Sequence, residues 1–151
     1  VVAVDPDRQV RDIGEAKARA AGVRLEYVTA MGDAEIAAVP AGAADAVTCS
    51  LVLHQCPLDA KRAILANAVR LLKPGGRMVL ADYGAQPDAL MRLGFLLVQT
   101  LDGFEATEHN RRGVIPQLIE AVGFAESETV GRVATPTGAI TVWRARRAQD
   151  V

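Results

Sequence analysis

Asp5, Asp33 and Ser50 close or follow apolar runs, and His54, Tyr83 and His109 carry groups able to hold or take a proton. Asp5 follows Val1–Val4, Asp33 lies five residues beyond the run Val23–Val28, and Ser50 ends Ala44–Ser50. A carboxylate at the carboxyl end of a strand accepts hydrogen bonds from ligand hydroxyls or amines, and open α/β sheets bind ligands at those ends. Each of the three also has a plainer use. Asp5 could cap a helix ahead of Pro6, Asp33 could sit solvated in a turn after Gly32, and Ser50 could simply terminate its strand. His54, just past Ser50, and Tyr83, at the end of a later apolar run, are the candidates for taking a proton from an acceptor. A structural imidazole bonded to backbone, or a packed ring, would use them otherwise. His109 stands with Glu105 and Glu108 in a polar stretch, where solvation is expected.

The elements that must position these residues alternate strand and helix. Val1–Val4 reads as a short buried parallel strand. Pro6 and Asp7 open a helix whose apolar stripe runs through Val10, Ile13 and Ala20 to a stop at Gly22. Val23–Val28 is a second strand, Ala34–Val39 a single helical turn ended by Pro40, and Ala44–Ser50 a third strand. Pro57 and Asp59 start a helix with Ile64, Ala68, Leu71 and Leu72 on one face and Lys61, Arg62, Asn67 and Arg70 as its polar side. Lys73-Pro74-Gly75-Gly76 ends it. Arg77–Tyr83 is a fourth strand. Pro87–Leu101 is helical and apolar nearly all round, which predicts cover on more than one side. Asp102–Gly113 is connective, Pro116 opens a short helix ended by Gly123, and Glu126–Val133 with Ala139–Ala145 forms an antiparallel hairpin. Parallel units closed by a hairpin give an α/β sandwich with a mostly parallel, mixed sheet.

Composition narrows the class. The chain has 151 residues, half of them apolar, with a net charge of −1. That is the size of one domain with a continuous core, and the charge balance argues against nucleic acid as a partner. Two cysteines, Cys49 and Cys56, make neither a disulfide framework nor a zinc spacing and fit a reducing cytoplasm. No apolar run is long enough for a membrane span.

Three stretches carry more specific information: Val2-Ala3-Val4-Asp5-Pro6; Gly32-Asp33-Ala34-Glu35; and Ala44 to His54 followed by Leu71-Leu72-Lys73-Pro74-Gly75-Gly76-Arg77-Met78-Val79-Leu80. Together, and in this order, they resemble the class I S-adenosylmethionine-dependent methyltransferases, in particular the small-molecule branch related to ubiquinone and menaquinone methyltransferases. The resemblance covers essentially the whole chain and implies a Rossmann-like sandwich ending in the antiparallel hairpin. It also implies S-adenosylmethionine as cofactor. Asp5, with Pro6, would hold the ribose hydroxyls. Asp33 would accept from the adenine amino group with the Ala34 N–H toward the ring, and Ser50 and Leu51 would face the methionine amine with their backbone. Transfer would be an in-line displacement onto a small, hydrophobic acceptor, with His54 or Tyr83 as the base. Residues 86–113 fall where the family inserts elements that cover the acceptor or make a homodimer contact. The family's first strand and Gly-rich loop would precede Val1. Residues 1–151 are therefore expected to be a single, N-terminally incomplete domain, inactive in isolation. Strands 1–4 and 44–50, which would flank that strand, should not pair with each other.

Absences narrow the branch further. Thr48-Cys49-Ser50 carries no Asn-Pro-Pro-aromatic motif, and Cys56-Pro57 reverses the Pro-Cys order, which speaks against the DNA-modifying enzymes. Asp45 stands at the beginning of its strand and not at the end, where catechol-type enzymes place a metal-binding acid, so no metal site is expected. Two other readings are a nicotinamide-dependent dehydrogenase, since an acid ending a strand also suits an adenosine ribose, and a non-catalytic domain that keeps the fold for binding.

Overall fold

The structure is a computed structural model that describes residues 1–149. In chain order its elements are β1 (Val2–Val4), α1 (Arg8–Ala20), β2 (Glu26–Val28), β3 (Ala44–Ser50), a 3-10 turn (Leu53–Gln55), α2 (Leu58–Leu71), β4 (Leu72–Tyr83), α3 (Ala89–Asp102), α4 (Phe104–Arg111), α5 (Ile115–Ala121), β5 (Phe124–Thr135) and β6 (Gly138–Arg147).

The strands form two sheets. β1 pairs in parallel with β2, and the other four run in the order β3-β4-β6-β5, parallel between β3 and β4 and antiparallel through the closing hairpin. Among the described residues β1 and β3 do not pair with each other, as expected, and neither has a partner on its second edge. The core lies on one face of the larger sheet, where Leu65 and Ala68 of α2 and Leu118 and Ile119 of α5 meet Met78, Leu80, Trp143 and Ala145. These side chains are nearly all removed from water. Truncating one such leucine to alanine costs about 2–5 kcal/mol, so this face dominates the stability. Alternate residues point the other way, and Thr48, Ser50, Arg77, Arg144 and Arg146 are exposed.

α2 stops at Leu71, where Leu72 turns extended (ψ 143°). The following Lys73-Pro74-Gly75-Gly76 bulges out of the ladder, because Ala44 pairs with Leu72 while Ala46 already pairs with Arg77. Gly75, at φ 71°, makes that excursion possible.

Several local expectations change. β1 is parallel but not buried, with Val1 and Val2 exposed, because its second edge has no neighbouring strand among the described residues. β2 begins at Glu26 and not at Val23, and β4 at Leu72 and not at Arg77. α1 rests on β2 through Gly14, where a Cβ would lie 3.8 Å from Tyr27 and 3.9 Å from Leu25, so the stripe through Val10 and Ile13 is left exposed. The small sheet offers a platform for only one side of the helix. Residues 34–39 form turns, such as Val39 N–H to the Ile36 carbonyl at 3.1 Å, and no helix. The connective 102–113 contains α4. α3 buries only Phe95, Val98 and Gln99, leaving Leu90, Leu93, Leu97 and Leu101 more than half exposed. Apolar residues all round a helix thus do not mean cover all round it.

Candidate functional site

At the end of β1 the ladder extends to Asp5, whose N–H donates to the Val28 carbonyl at 3.2 Å. One carboxylate oxygen accepts the Asp7 N–H at 2.8 Å, and its second oxygen takes no bond from the described residues. The cap of α1 is Asp7, which accepts from Gln9 N–H at 2.7 Å, so the capping alternative for Asp5 gives way. Pro6 is exposed beside it. The half-buried Asp5 thus keeps an acceptor at a strand's carboxyl end.

The turn with Asp33 is held from beneath by α2. Asn67 donates to the carbonyls of Gly32 and Ala34 at 2.9 and 2.8 Å, and Ile64 lies 3.4 Å from where a Gly32 Cβ would stand. Asp33 is exposed, and the Ala34 N–H donates to the Met31 carbonyl at 3.1 Å. At the end of β3, Ser50 is exposed and Leu51 has φ 55°, the one positive φ outside glycine among the described residues. A leucine there carries strain on the order of 1–2 kcal/mol. The Leu51 N–H still reaches the Ala81 carbonyl at 2.8 Å, so the ladder continues through the bend.

Beyond that bend lies the most developed polar cluster of the molecule. Asp82, at the end of β4 and fully buried, accepts four N–H groups. Its Oδ2 takes Leu53 N at 2.6 Å and His54 N at 3.3 Å, and its Oδ1 takes His54 Nδ1 at 2.8 Å and Tyr83 N at 2.7 Å. An ionised carboxylate only accepts, so Nδ1 carries the proton. The other ring nitrogen, Nε2, lies 3.4 Å from Oδ2 of Asp102, the last residue of α3. Tyr83 stands edge-on to the His54 ring with centroids 5.0 Å apart. Its hydroxyl is paired with Thr137 Oγ1 at 2.7 Å, and its carbonyl accepts from the buried Asn110 at 2.7 Å.

Lys61 completes the cluster. It stands on the polar side of α2 by composition, yet it is fully buried. Its Nζ donates to the carbonyls of Leu53, Cys56 and Ala106 at 2.5, 2.7 and 2.8 Å. Burial lowers its pKa to about 8, against Cys56 and Asp82, which act to raise it. Burial also pushes the Cys49 thiol up to about 12, which leaves it inert as a nucleophile.

His109 is half-buried on α4 and outside this cluster. Its neighbour Glu108 is held down to about 2, first by the hydrogen bond from Arg111. Asp45 pairs with Lys73 at 2.6 Å at the far end of β3.

The structure therefore gathers His54 and Tyr83 with three residues that the sequence did not single out, Asp82, Asp102 and Lys61. Two of them left a signal. Lys61 falls at the same helical spacing as Leu65 and Ala68, hence on the core face, and Asp82 is an acid placed directly after the apolar run Met78–Ala81, of which Met78 and Leu80 are buried. Asp102 reaches His54 only through the packing of α3, which nothing local announces.

The donor and acceptor set suits an adenosyl group. Acidic acceptors at the end of β1 and after β2 match a ribose diol and an exocyclic amine, both of which donate.

Comparison with known proteins agrees. The methyltransferase domain family matches residues 1–80, more than half of the chain. The chain belongs to the class I S-adenosylmethionine-dependent methyltransferases. This decides against the dehydrogenase reading. The ubiquinone/menaquinone biosynthesis C-methyltransferase UbiE of Saccharophagus degradans is 24% identical over 160 residues, covering 91% of this chain, which spans 64% of that relative's length. Two solved structures share the fold. A SAM-dependent methyltransferase of Methanosarcina mazei matches with a TM-score of 0.70 at 16% identity, covering 99% of this chain and 82% of that one. Phosphoethanolamine N-methyltransferase 2 of Haemonchus contortus, solved with phosphomonomethylethanolamine and S-adenosylhomocysteine, matches with a TM-score of 0.73 at 12% identity, covering 99% and 44%. One of these proteins is named for carbon and another for nitrogen methylation, so the fold itself does not select the acceptor atom.

Proposed function

We propose that the protein transfers the methyl group of S-adenosylmethionine to a small, hydrophobic organic acceptor, and that His54 takes the acceptor's proton. The supporting observation is the buried Asp82–His54 pair at the carboxyl ends of β3 and β4. When bound, the cofactor supplies an electrophilic methyl carbon on a sulfonium, so that in-line displacement needs chiefly alignment.

The chain's own residues do the rest. Asp5, beside Pro6, accepts from the ribose hydroxyls through the oxygen that Asp7 leaves unused, and Asp33 and Ala34, on the turn fixed by Asn67, border the adenine. Ser50 and the left-handed Leu51 turn their backbone to the amino acid end. Asp82 fixes the His54 tautomer with the proton on Nδ1, leaving Nε2 to receive a proton. The imidazolium so formed stands between two carboxylates, Asp82 at 2.8 Å and Asp102 at 3.4 Å. Tyr83 has its hydroxyl engaged by Thr137 and serves by packing against the ring.

Residues 86–113, with α3 and α4, cover the acceptor side. Exposed Leu90, Leu93, Leu97 and Phe104 give that segment an apolar surface, which supports an apolar acceptor and would equally serve a homodimer. No described helix is long and apolar enough to cross a membrane, and two free thiols suit a reducing cytoplasm.

The test is methyl transfer from labelled S-adenosylmethionine to a panel of small apolar hydroxyl compounds and amines, using the intact protein and His54→Asn. Loss of a general base costs roughly a hundredfold to ten-thousandfold. A turnover in His54→Asn equal to that of the unaltered protein would refute the role given to His54.

A further inference from the structure

We propose that Lys61 is a positioning residue that fastens α4 to the segment carrying His54, so that one buried ammonium holds the acceptor cover shut. The inference rests on the methyl-transfer reading for its function and on separate geometry for its substance.

A lysine is almost never fully buried unless paired, and among the described residues no carboxylate lies within salt-bridge distance of Lys61. Its three donors instead go to three carbonyls from two separate parts of the chain. Leu53 opens the 3-10 turn that includes His54 and Cys56 follows it, while Ala106 belongs to the first turns of α4, 45 residues beyond Lys61. An ammonium has three hydrogens and no acceptor, so the site is saturated.

Among the described residues, the other polar ties of α4 do not reach the His54 turn. Its ion pairs join Glu108 to Arg111 and Arg112, next to α4's own end, and leave these side chains 28% to 69% exposed. Asn110 reaches the Tyr83 carbonyl, and Gln99 of α3 reaches Glu108 at a long 3.5 Å. α4 also packs on the His54 turn, but among the described residues only Lys61 hydrogen-bonds both of them. It also neutralises part of the charge that Asp82 brings into the same interior, since the two act on each other electrostatically.

α2 therefore works as one positioning rod. Lys61 holds the cover and the His54 turn, while Ile64 and Asn67, three and six residues on, hold the Gly32–Ala34 turn. The two ends of the site can be uncoupled by substitution, which makes the proposal testable apart from the function.

The experiment compares Lys61→Met and Lys61→Arg with the unaltered protein by amide hydrogen exchange, by ring 15N resonances of the histidines, and by calorimetric titration with S-adenosylhomocysteine. Only His54 and His109 contribute ring signals. In Lys61→Met, exchange over 53–56 and 104–111 should quicken about tenfold or more while β5 and β6 stay as before, and the His54 ring signals should move. Lys61→Arg, which keeps a cation and several donors, should return both toward normal. Affinity for S-adenosylhomocysteine should stay within about twofold in either variant, because the Asp33 turn is held by other residues; failure of all proteins to bind it would tell against the methyl-transfer reading and leave the fastening intact. A folded Lys61→Met with unchanged exchange at α4, or with His54 signals unmoved, overturns the proposal. If Lys61→Met does not fold, the unaltered protein decides: a slowly exchanging Lys61 ammonium resonance with contacts to Ala106 supports the fastening, and its absence refutes it.

Discussion

Asp82→Asn is the perturbation whose consequences can be worked furthest. The substitution keeps the shape and replaces one acceptor oxygen by a donor. If the new NH2 took the Oδ2 place, it would face the N–H groups of Leu53 and His54, leaving two buried backbone donors without an acceptor. In the Oδ1 place it faces His54 Nδ1 and the Tyr83 N–H. The ring can then accommodate it by changing tautomer, with Nδ1 accepting from the amide and the proton on Nε2, 3.4 Å from the Asp102 carboxylate. That arrangement orphans only the Tyr83 N–H and is the one expected. One orphaned buried donor costs about 1–3 kcal/mol, and the loss of charge from the remaining bonds adds on the order of another 1 kcal/mol. Urea melts should therefore show about 2–4 kcal/mol less stability at an unchanged m-value. Ring 15N shifts should show the proton of His54 on Nε2 in place of Nδ1. With its Nε2 lone pair lost, the variant should also lose methyl transfer by roughly a hundredfold or more. A stability within about 0.5 kcal/mol of the unaltered protein, or a His54 that keeps its proton on Nδ1, would show that Asp82 does not govern the ring.

Other consequences concern the rest of the site. Asp5→Ala in the intact protein removes hydrogen bonds to a charged acceptor, each worth roughly 1.5–3 kcal/mol, so affinity for S-adenosylhomocysteine should fall at least about tenfold with the melt preserved; unchanged affinity would remove Asp5 from the ribose. Glu108 is held down to about 2 by Arg111 and Arg112, so its contribution to stability is complete above the ordinary carboxyl range near 4.5 and is lost as pH falls from there toward 2. Glu108→Gln should flatten that part of the acid melt, and added salt should shrink the difference because these side chains are partly exposed. Turnover should survive a chelator; a loss on chelation that magnesium restores would contradict a reaction carried by His54 and alignment alone.

Much of the fold was legible because local signals agreed with one another. The run Ala44–Ser50 is a strand to the residue, and Leu-Lys-Pro-Gly-Gly marks the change from helix to strand, although β4 already begins at Leu72 and not at Arg77 because the bulged Lys73–Gly76 lies within it. What escaped depends on neighbours distant in sequence. The polar character of Asp102–Gly113 suggested a connection, but α4 forms there because α3 and the His54 turn give it a surface to pack on. The stripe Val10–Ile13 has the helical period, yet which side of α1 is covered is set by Tyr27 and Leu25. His54 was visible as a proton carrier, whereas the acid that orients it is 28 residues away and the lysine behind it is polar by type, with only its spacing to Leu65 and Ala68 placing it on the core face. Buried polar partners of this kind are hard to see in a sequence, because their worth lies in geometry: each is costly alone and favourable only when every donor meets an acceptor.

The central claim is that this site is built for an adenosyl sulfonium cofactor, and calorimetry on the intact protein tests it most directly. Separate titrations with S-adenosylhomocysteine and with NAD should give saturable one-to-one binding of the first, weakened by Asp5→Ala, and no binding of the second at the same concentrations. Binding of NAD without binding of S-adenosylhomocysteine, or S-adenosylhomocysteine binding untouched by Asp5→Ala, would contradict it.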